Sequence, residues 1–321
     1  MAERMTTRSL PGDTVSTRAR LALGVLLLLL LVAPTLIYPI ALMKVLCFAL
    51  FACSFNLVLG YTGLLSFGHA AFFGWAAYVA GHVVKVWSMP PEIAILVGTA
   101  AGAGLGLVFG WLAIRRQGIY FAMVTLALAQ MMFFVALEVP FTHGEDGIQA
   151  IPRGMLFGLI DLTNSYAMYY TVLAIFLIGF GIVYRTIHSP FGQVLKAIRD
   201  NEQRALSLGY EADRYKLLAF VLSAAVAGLA GATKAMVVHF ATLTDVSAGN
   251  SGEVVLMALI GGLGTIIGPV VGAFVLVGMQ DYLAFIGQLV LVIQGAIFVV
   301  CVLVFRRGIV GELAHRLKVR L

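Results

Sequence analysis

Six hydrogen-bonding side chains lie in stretches of the sequence that are otherwise apolar: Asn56, Thr62, Ser66, His69, Thr125 and Gln130. Amide, hydroxyl and imidazole groups among apolar residues can bind a polar solute, so this set is a candidate solute pathway. A second interpretation stays open, because hydroxyls inside helices also bond to backbone carbonyls of the preceding turn. A metal site is disfavoured, since His69 has no histidine or cysteine at ligand spacing.

Two carboxylates stand in the turn-forming sequence HGEDGI, inside a polar loop predicted at residues 139–165. Glu145 and Asp146 offer the oxygen ligands that Ca²⁺ prefers, but the pattern of a calcium loop is incomplete. An anion-binding nest and an ordinary turn are the two other interpretations of these residues. All three interpretations place the loop at the surface of the protein.

A charged island spans residues 185–216 and holds ten of the thirty-six charged residues of the chain. The sequence on both sides of it is strongly apolar. Because a stretch this polar cannot lie in hydrocarbon, it is expected to form a folded loop at a membrane face. A folded loop of this kind suits contact with a soluble partner protein. The alternative is an amphipathic loop that rests on lipid headgroups.

The charged island also carries the local signals of a short helix. Asp200 is a predicted N-cap, the helix is expected over residues 201–208, and Gly209 is the predicted stop. A short capped helix that presents apolar side chains between charged flanks suits docking into a groove of another protein. The predicted docking residues are Arg199, Asp200, Glu202, Ala205, Leu206, Leu208 and Gly209.

Composition defines the elements that must position these residues. Of the 321 residues, 61% are hydrophobic and 11% are charged, against roughly 25% charged in soluble domains. The expected fold is an all-α polytopic membrane protein with about ten crossings, or about eight if the glycine-rich segments are re-entrant. The predicted spans are residues 21–41, 43–60, 62–84, 92–113, 118–138, 166–185, 216–238, 252–268, 271–286 and 288–305.

Basic residues predict the orientation of the chain. They cluster near the N-terminus, at Arg115 and Arg116, in the charged island and near the C-terminus. The positive-inside rule places all four clusters in the cytoplasm. The predicted organisation is a cytoplasmic tail (1–20), a membrane domain (21–305) with a cytoplasmic loop (189–215) and an opposite loop (139–165), and a second cytoplasmic tail (306–321). Nucleic-acid binding is disfavoured, because the basic residues flank apolar spans.

Two apolar segments are heavily interrupted by glycine and proline, one in each half of the chain. They are Asn56–Gly81 and Ala258–Gly278. Paired broken segments of this kind indicate a transport pathway built from two possible inverted repeats.

Motifs that convert energy are missing from the sequence. It contains no G-x-x-x-x-G-K-[ST] phosphate loop. A carboxylate pair at mid-span, as a proton relay requires, is also missing, with Glu253 and Asp281 the nearest exceptions. If the protein pumps a solute, the energy is therefore expected from another chain. A passive channel, a secondary carrier and a membrane enzyme are the rival hypotheses.

Several motifs together resemble one family. NLVLGYTGLLSFGHAAFFGWAAYVAG is similar to the signature segment of LivM-type permeases, the membrane subunits of branched-chain amino acid ABC transporters. GIYFAMVTLALAQMM, GEDGI, the island sequence from GQVLKAIRDNEQRALSLGY onward and GGLGTIIGPVVGA follow in the order of that family. The resemblance covers residues 40–305.

The resemblance implies a non-enzymatic permease subunit in the bacterial inner membrane. Its solutes would be leucine, isoleucine or valine, or else another amino acid, urea or a small organic acid. Its partners would be a second, LivH-type permease, two cytoplasmic ATPases that bind ATP and Mg²⁺, and a periplasmic solute-binding protein; this chain itself would need no cofactor. The island helix would couple to an ATPase, and the loop with Glu145 and Asp146 would face the binding protein.

Overall fold

The computed structural model describes residues 24, 28–35, 37–283, 285, 287, 289–304 and 308–316. The predicted N-terminal tail lies outside these residues, as do most of the first half of the first predicted span and parts of the C-terminal tail. The described chain is almost entirely helical, and five of its helices are long and apolar enough to cross a membrane. The predicted all-α polytopic membrane fold is confirmed.

Thirteen α-helices have both ends among the described residues, which also form three 3-10 helices of three residues each and one short hairpin. The helices are α1 (Pro39–Thr62), α2 (His69–Lys85), α3 (Pro91–Ala113), α4 (Ile119–Glu138), α5 (Ser165–His188), α6 (Pro190–Asp200), α7 (Glu202–Ser207), α8 (Ala212–Val238), α9 (Leu243–Val246), α10 (Ala248–Gly261), α11 (Gly268–Leu283), α12 (Leu289–Val304) and α13 (Gly308–Arg316). The antiparallel hairpin pairs β1 (Met155–Leu156) with β2 (Ile160–Asp161) inside the loop at residues 139–165.

Helix α8 lies at the centre of the bundle and packs on α1, α2 and α3. Glycines of α3 face small residues of α8: a methyl group added at Gly102 would lie 2.9 Å from the Cα of Gly228, and one added at Gly98 would lie 2.9 Å from the Cβ of Ala232. Small residues let membrane helices approach closely and gain packing contacts that lipid does not offer. The abundance of glycine in this chain therefore serves helix contact here.

The structure shifts the boundaries of the predicted spans around the first broken segment. Helix α1 ends at Thr62, where Gly63 takes φ 75° in the left-handed region that closes many helices. Residues 63–68 are not helical, and α2 starts only at His69. The predicted span at residues 62–84 is thus a non-helical entry followed by a helix of 17 residues.

The second broken segment forms two short helices, α10 with 14 residues and α11 with 16. At about 1.5 Å per residue both are shorter than a hydrocarbon layer of roughly 30 Å. This is the length that the re-entrant alternative requires. The side of the membrane on which each loop lies stays a prediction.

Candidate functional site

A chain of hydrogen bonds at the start of α2 joins three central helices. The His69 Nε2 atom lies 2.9 Å from the Ser223 hydroxyl, which donates to the Ser54 carbonyl at 2.6 Å. Because the serine proton is committed to Ser54, we assign the His69 tautomer with its proton on Nε2. The Nδ1 atom is then an acceptor, buried and without a hydrogen-bond partner among the described residues.

The surroundings of His69 are aromatic. Its ring makes edge contacts with Phe55, Phe72 and Phe220 at centroid distances of 5.2–5.7 Å, and the residue is fully buried. These contacts fit the packing interpretation of a buried histidine. The group fastens the start of α2 to α1 and α8.

Other predicted pathway residues satisfy the free N–H groups where α2 begins. The Phe67 N–H donates to the Thr125 hydroxyl of α4 at 3.2 Å, and the Gly68 N–H donates to Ser66 at 3.2 Å. The Ala70 N–H donates to Ser251 of α10 at 3.0 Å. A helix start without such partners would leave buried donors unsatisfied. The hydroxyls of Ser66 and Thr125 therefore satisfy the segment just before α2, and the Ser251 hydroxyl satisfies an N–H in the first turn of α2.

Asn56 connects the two broken segments directly. Its amide donates to the Thr265 carbonyl at 2.9 Å, and its oxygen accepts from the Gly264 N–H at 3.0 Å. The backbones come so close that a methyl group at Gly60 would lie 2.8 Å from the Gly264 nitrogen. Thr62 instead bonds to the Val58 carbonyl of its own helix, which is the local alternative.

Gln130 is the exposed member of the predicted pathway set. It lies on α4, the least buried of the five span-length helices. Its neighbours on that face are Met123, Leu126 and Phe134, which are also exposed. An amide in an exposed apolar face is costly in lipid, so this face suits a cavity or a protein contact.

Within the charged island, Arg199 turns inward. Its Nη1 donates to the Gly60 carbonyl at 2.5 Å, at the C-terminal end of α1, while Nε and Nη2 bond to Asp200 at 3.1 and 3.0 Å. Tyr61 adds a hydrogen bond to the Gly264 carbonyl at 2.9 Å. We call the group of Arg199, Gly60, Asn56, Tyr61 and Gly264 the Arg199 junction. It joins the charged island to both broken segments.

The predicted short helix is present as α7, with two corrections. Its N-cap is Asn201, whose side chain accepts from the Arg204 N–H at 3.0 Å, whereas Asp200 ends α6. Ala205 is buried at 2% exposure, so it is not presented to a partner. It packs against Ile198 and Ala212 in a small apolar cluster, an interior that the capping pattern did not reveal.

Most of the other predicted docking residues are exposed. Leu206 and Leu208 are 47% and 71% exposed, and Gly209 takes φ 88° as the stop after α7. Glu202 is partly buried and pairs with Lys216 of α8. An open cavity of about 420 Å³ lies beside Leu206, between the island and the turn after α3.

The loop opposite the charged island is tied to the corner between α8 and α9. Ile148 and Ala241 exchange backbone hydrogen bonds of 3.0 and 2.9 Å, and Arg153 donates to the Val237 carbonyl at 2.9 Å. Burial lowers the pKa of Arg153. Glu145 and Asp146 lie exposed in the adjacent turn, so both are accessible to a partner.

A buried ion pair stabilises the same corner. The Lys234 ammonium lies 2.7 Å from the Asp245 carboxylate, and both side chains are under 10% exposed. Asp245 also accepts from the Thr242 N–H at 3.1 Å, and Lys234 lies over the Phe240 ring. We call this group and the attached loop residues 147–153 the Lys234 corner. The pair was not predicted, although a lysine inside the apolar stretch AGLAGATKAMVV is a visible signal.

Most of the chain is similar to proteins of one known family. The chain matches the family described as "Branched-chain amino acid transport system / permease component" over residues 38–302. It is 24% identical to the high-affinity branched-chain amino acid transport system permease protein LivM of Escherichia coli K12 and 25% identical to LivM of Salmonella typhimurium LT2. Each alignment covers 83% of this chain and 68% of the relative.

A shorter alignment links the chain to the autoinducer 2 import system permease protein LsrC of Yersinia pseudotuberculosis serotype O:1b. Here the identity is 28% over 59% of this chain and 53% of LsrC. No solved structure matches. The family match runs from the start of α1 almost to the end of α12. It therefore includes the Arg199 junction and the Lys234 corner. The chain belongs to the family of permease components of branched-chain amino acid transport systems.

Proposed function

We propose that this chain is the membrane-spanning permease subunit of an ATP-driven importer for leucine, isoleucine and valine. The main support is the family match over residues 38–302, together with the likeness to two LivM proteins named for branched-chain amino acid transport. The solute crosses by alternating access while partner chains hydrolyse ATP, so the chain itself is a transport subunit and holds no cofactor.

The proposed assembly lies in the bacterial inner membrane. It contains this chain, a LivH-type second permease, two cytoplasmic ATPases that bind ATP and Mg²⁺, and a periplasmic solute-binding protein. Both termini of this chain are cytoplasmic, as the basic clusters predict. The exposed face of α4 with Gln130 lines the passage, while Asn56, Thr62, Ser66, His69 and Thr125 hold the helix ends behind it.

The charged island is the proposed contact with an ATPase. Leu206 and Leu208 are large apolar side chains left in solvent beside an open cavity, an arrangement that favours a protein partner. Arg199 is the proposed transmission element rather than part of the contact. It fastens the island to the end of α1, so a push on α7 moves the two broken segments that meet at Gly264.

The periplasmic contact is proposed at the opposite loop. Glu145 and Asp146 are exposed next to backbone that is tied to the Lys234 corner. Carboxylates at this position offer a binding protein hydrogen-bond acceptors and a negative charge that speeds encounter with a basic surface.

The single observation that carries the ATPase contact is the exposed pair Leu206 and Leu208 on the capped helix turn. The test is affinity purification of the tagged chain from its native membrane in mild detergent. Recovery of two ATPases and a second permease, followed by ATP-dependent uptake of radiolabelled leucine in liposomes, is the expected result. A chain that purifies alone and passes solute without ATP is a channel, which contradicts the proposal.

A second candidate is an ABC permease for a different small solute, favoured by the likeness to the autoinducer 2 import permease LsrC. Uptake in the same liposomes distinguishes the two. Competition by unlabelled isoleucine and valine supports the first candidate, whereas ATP-driven uptake that leucine does not compete with supports the second.

A further inference from the structure

A polar cluster lies away from the Arg199 junction, among four apolar helices. The Lys44 ammonium of α1 lies 2.6 Å from Asp281 of α11. Gln280 donates to Gln294 of α12 at 3.5 Å, and Glu253 of α10 interacts with both Gln280 and Lys44. We call these five residues the Glu253 cluster. Its members come from distant parts of the sequence, so it exists only in the folded chain.

The charges in the cluster do not balance. It holds two carboxylates and, among the described residues, one cation: Lys44 is in contact with Asp281 and also interacts electrostatically with Glu253. Glu253 therefore has the Gln280 amide as a partner, and it shares the single Lys44 ammonium with Asp281. An unbalanced carboxylate between membrane helices is costly, and such residues typically belong to a solute or ion site.

The cluster is closed on one side and open on the other. Gln294 is buried at 5% exposure, whereas the side chains of Lys44 and Asp281 are 31% and 34% exposed. Lys44 lies near the start of α1, and the Arg199 junction lies at the end of the same helix. The cluster therefore faces the side opposite the charged island, which is the side where an importer receives its solute.

We propose that the Glu253 cluster is an entry subsite for a zwitterionic amino acid. Glu253 accepts the α-ammonium, and Lys44 binds the α-carboxylate in competition with Asp281. The inference rests on the proposed importer function and assigns residues of this chain to the two charged groups of the solute. One carboxylate in excess next to an accessible ammonium matches a solute that carries both charges. A neutral sugar derivative or a plain anion would leave Glu253 without a partner.

A thiol reporter tests this subsite in the purified importer complex without binding protein. Gly278 lies on α11 one turn before Asp281, is exposed, and has open space where a Cβ would be added. The rate at which a cationic methanethiosulfonate modifies Gly278→Cys is measured with L-leucine, with leucinamide (which lacks the carboxylate) or with 4-methylpentanoate (which lacks the ammonium). Gly181→Cys on α5, equally open, is the control position, and the unsubstituted chain corrects for its three native cysteines.

The expected result is that leucine slows modification at position 278 and not at position 181, while both truncated analogues protect weakly. Glu253→Gln, which keeps a hydrogen-bonding amide beside Gln280, weakens leucine protection by about 10- to 100-fold, the range for losing a bond to a charged group. Glu138→Gln, an exposed carboxylate at the end of α4, leaves protection unchanged. Recovery of each variant with its partner chains shows that it is folded.

Two results overturn the subsite: equal protection by leucine and 4-methylpentanoate, or unchanged protection in Glu253→Gln. ATP-driven leucine uptake by the unsubstituted complex is measured alongside. Uptake without protection contradicts the subsite and leaves the importer function standing. Protection without uptake contradicts the importer function and leaves the subsite standing.

Discussion

The Arg199 junction and the Lys234 corner both fasten a loop to the helix bundle, but they do so with different chemistry. At the Lys234 corner an ion pair under 10% exposed is combined with backbone bonds from Ile148 and Ile151. At the Arg199 junction one side chain, 39% exposed, reaches a helix-end carbonyl. The corner is therefore costly to break, whereas the Arg199 bonds of the junction are ones that water can replace.

This difference suits the two proposed roles. A surface that receives a binding protein benefits from a rigid attachment, because a force applied there must then move α8 as a unit. A link that moves in every transport cycle must break and reform at low cost, and a partly exposed hydrogen bond contributes only about 1 kcal/mol. Substitutions at the Lys234 corner should therefore mainly lower stability, whereas substitutions at Arg199 should mainly lower ATP-driven transport.

The largest loss of stability is expected at the Lys234 corner. Asp245→Asn leaves the Lys234 ammonium buried without its counter-charge, which costs about 3–5 kcal/mol. The thermal midpoint of the detergent-solubilised protein should fall sharply. Removing both charges in Lys234→Met with Asp245→Asn should cost less than the single change, and a double change that is additive would contradict a coupled pair.

A smaller stability loss with a large functional loss is expected at the Arg199 junction. Arg199→Gln should lower the free energy of unfolding by about 1 kcal/mol while most ATP-driven uptake is lost. Co-purification of the ATPases should persist, because Arg199 contacts α1 rather than a partner. Arg185→Gln, an exposed arginine in the last turn of α5, is the matched control. Uptake that survives Arg199→Gln would remove the transmission role.

At the exposed surface of α7 the stability effect should nearly vanish. Leu206→Asp alters a side chain that is 47% exposed, so the free energy of unfolding should change by less than about 0.5 kcal/mol. The ATPases should no longer co-purify. The control is Leu159→Asp in the hairpin loop, 88% exposed on the predicted opposite side, which should retain them. Normal ATPase recovery with Leu206→Asp would place the contact elsewhere.

The smallest effect is expected in the loop with Glu145 and Asp146. The double change Glu145→Gln with Asp146→Asn alters two exposed side chains, so the thermal midpoint should stay the same. Uptake driven by the binding protein should fall severalfold, mainly through slower encounter, and the loss should shrink at high salt. A loss that salt does not change would argue against an electrostatic contact.

Local signals in the sequence predicted a good part of this molecule. Hydropathy and charge identified a polytopic helical membrane protein, and the island sequence predicted a short helix that ends at Gly209. The motif order identified the family, which the match over residues 38–302 confirms. The roles of the pathway and docking residues stay predictions.

Errors in the site concerned one local helix cap and the packing partners that side chains find in the folded chain. The capping pattern suggested Asp200, but the helix starts one residue later because Asn201 has the acceptor that reaches Arg204. Ala205 was expected at the surface, but Ile198 and Ala212 cover it. The hydroxyls of Thr62, Ser66 and Thr125 looked alike in the sequence, yet Thr62 bonds within its own helix and Thr125 accepts from the Phe67 N–H just before α2.

What the sequence determined by itself depends on near neighbours: membrane character, breaks at glycine, and the family. Only the tertiary structure decided that Asn56 meets Gly264 across 208 residues, that Arg199 reaches α1, and that Lys44 pairs with Asp281 across 237 residues. The physical reason is that hydropathy and capping act within a few residues, whereas a buried polar group finds its partner through helix packing. In this chain, close approach of the backbone at glycines sets that packing.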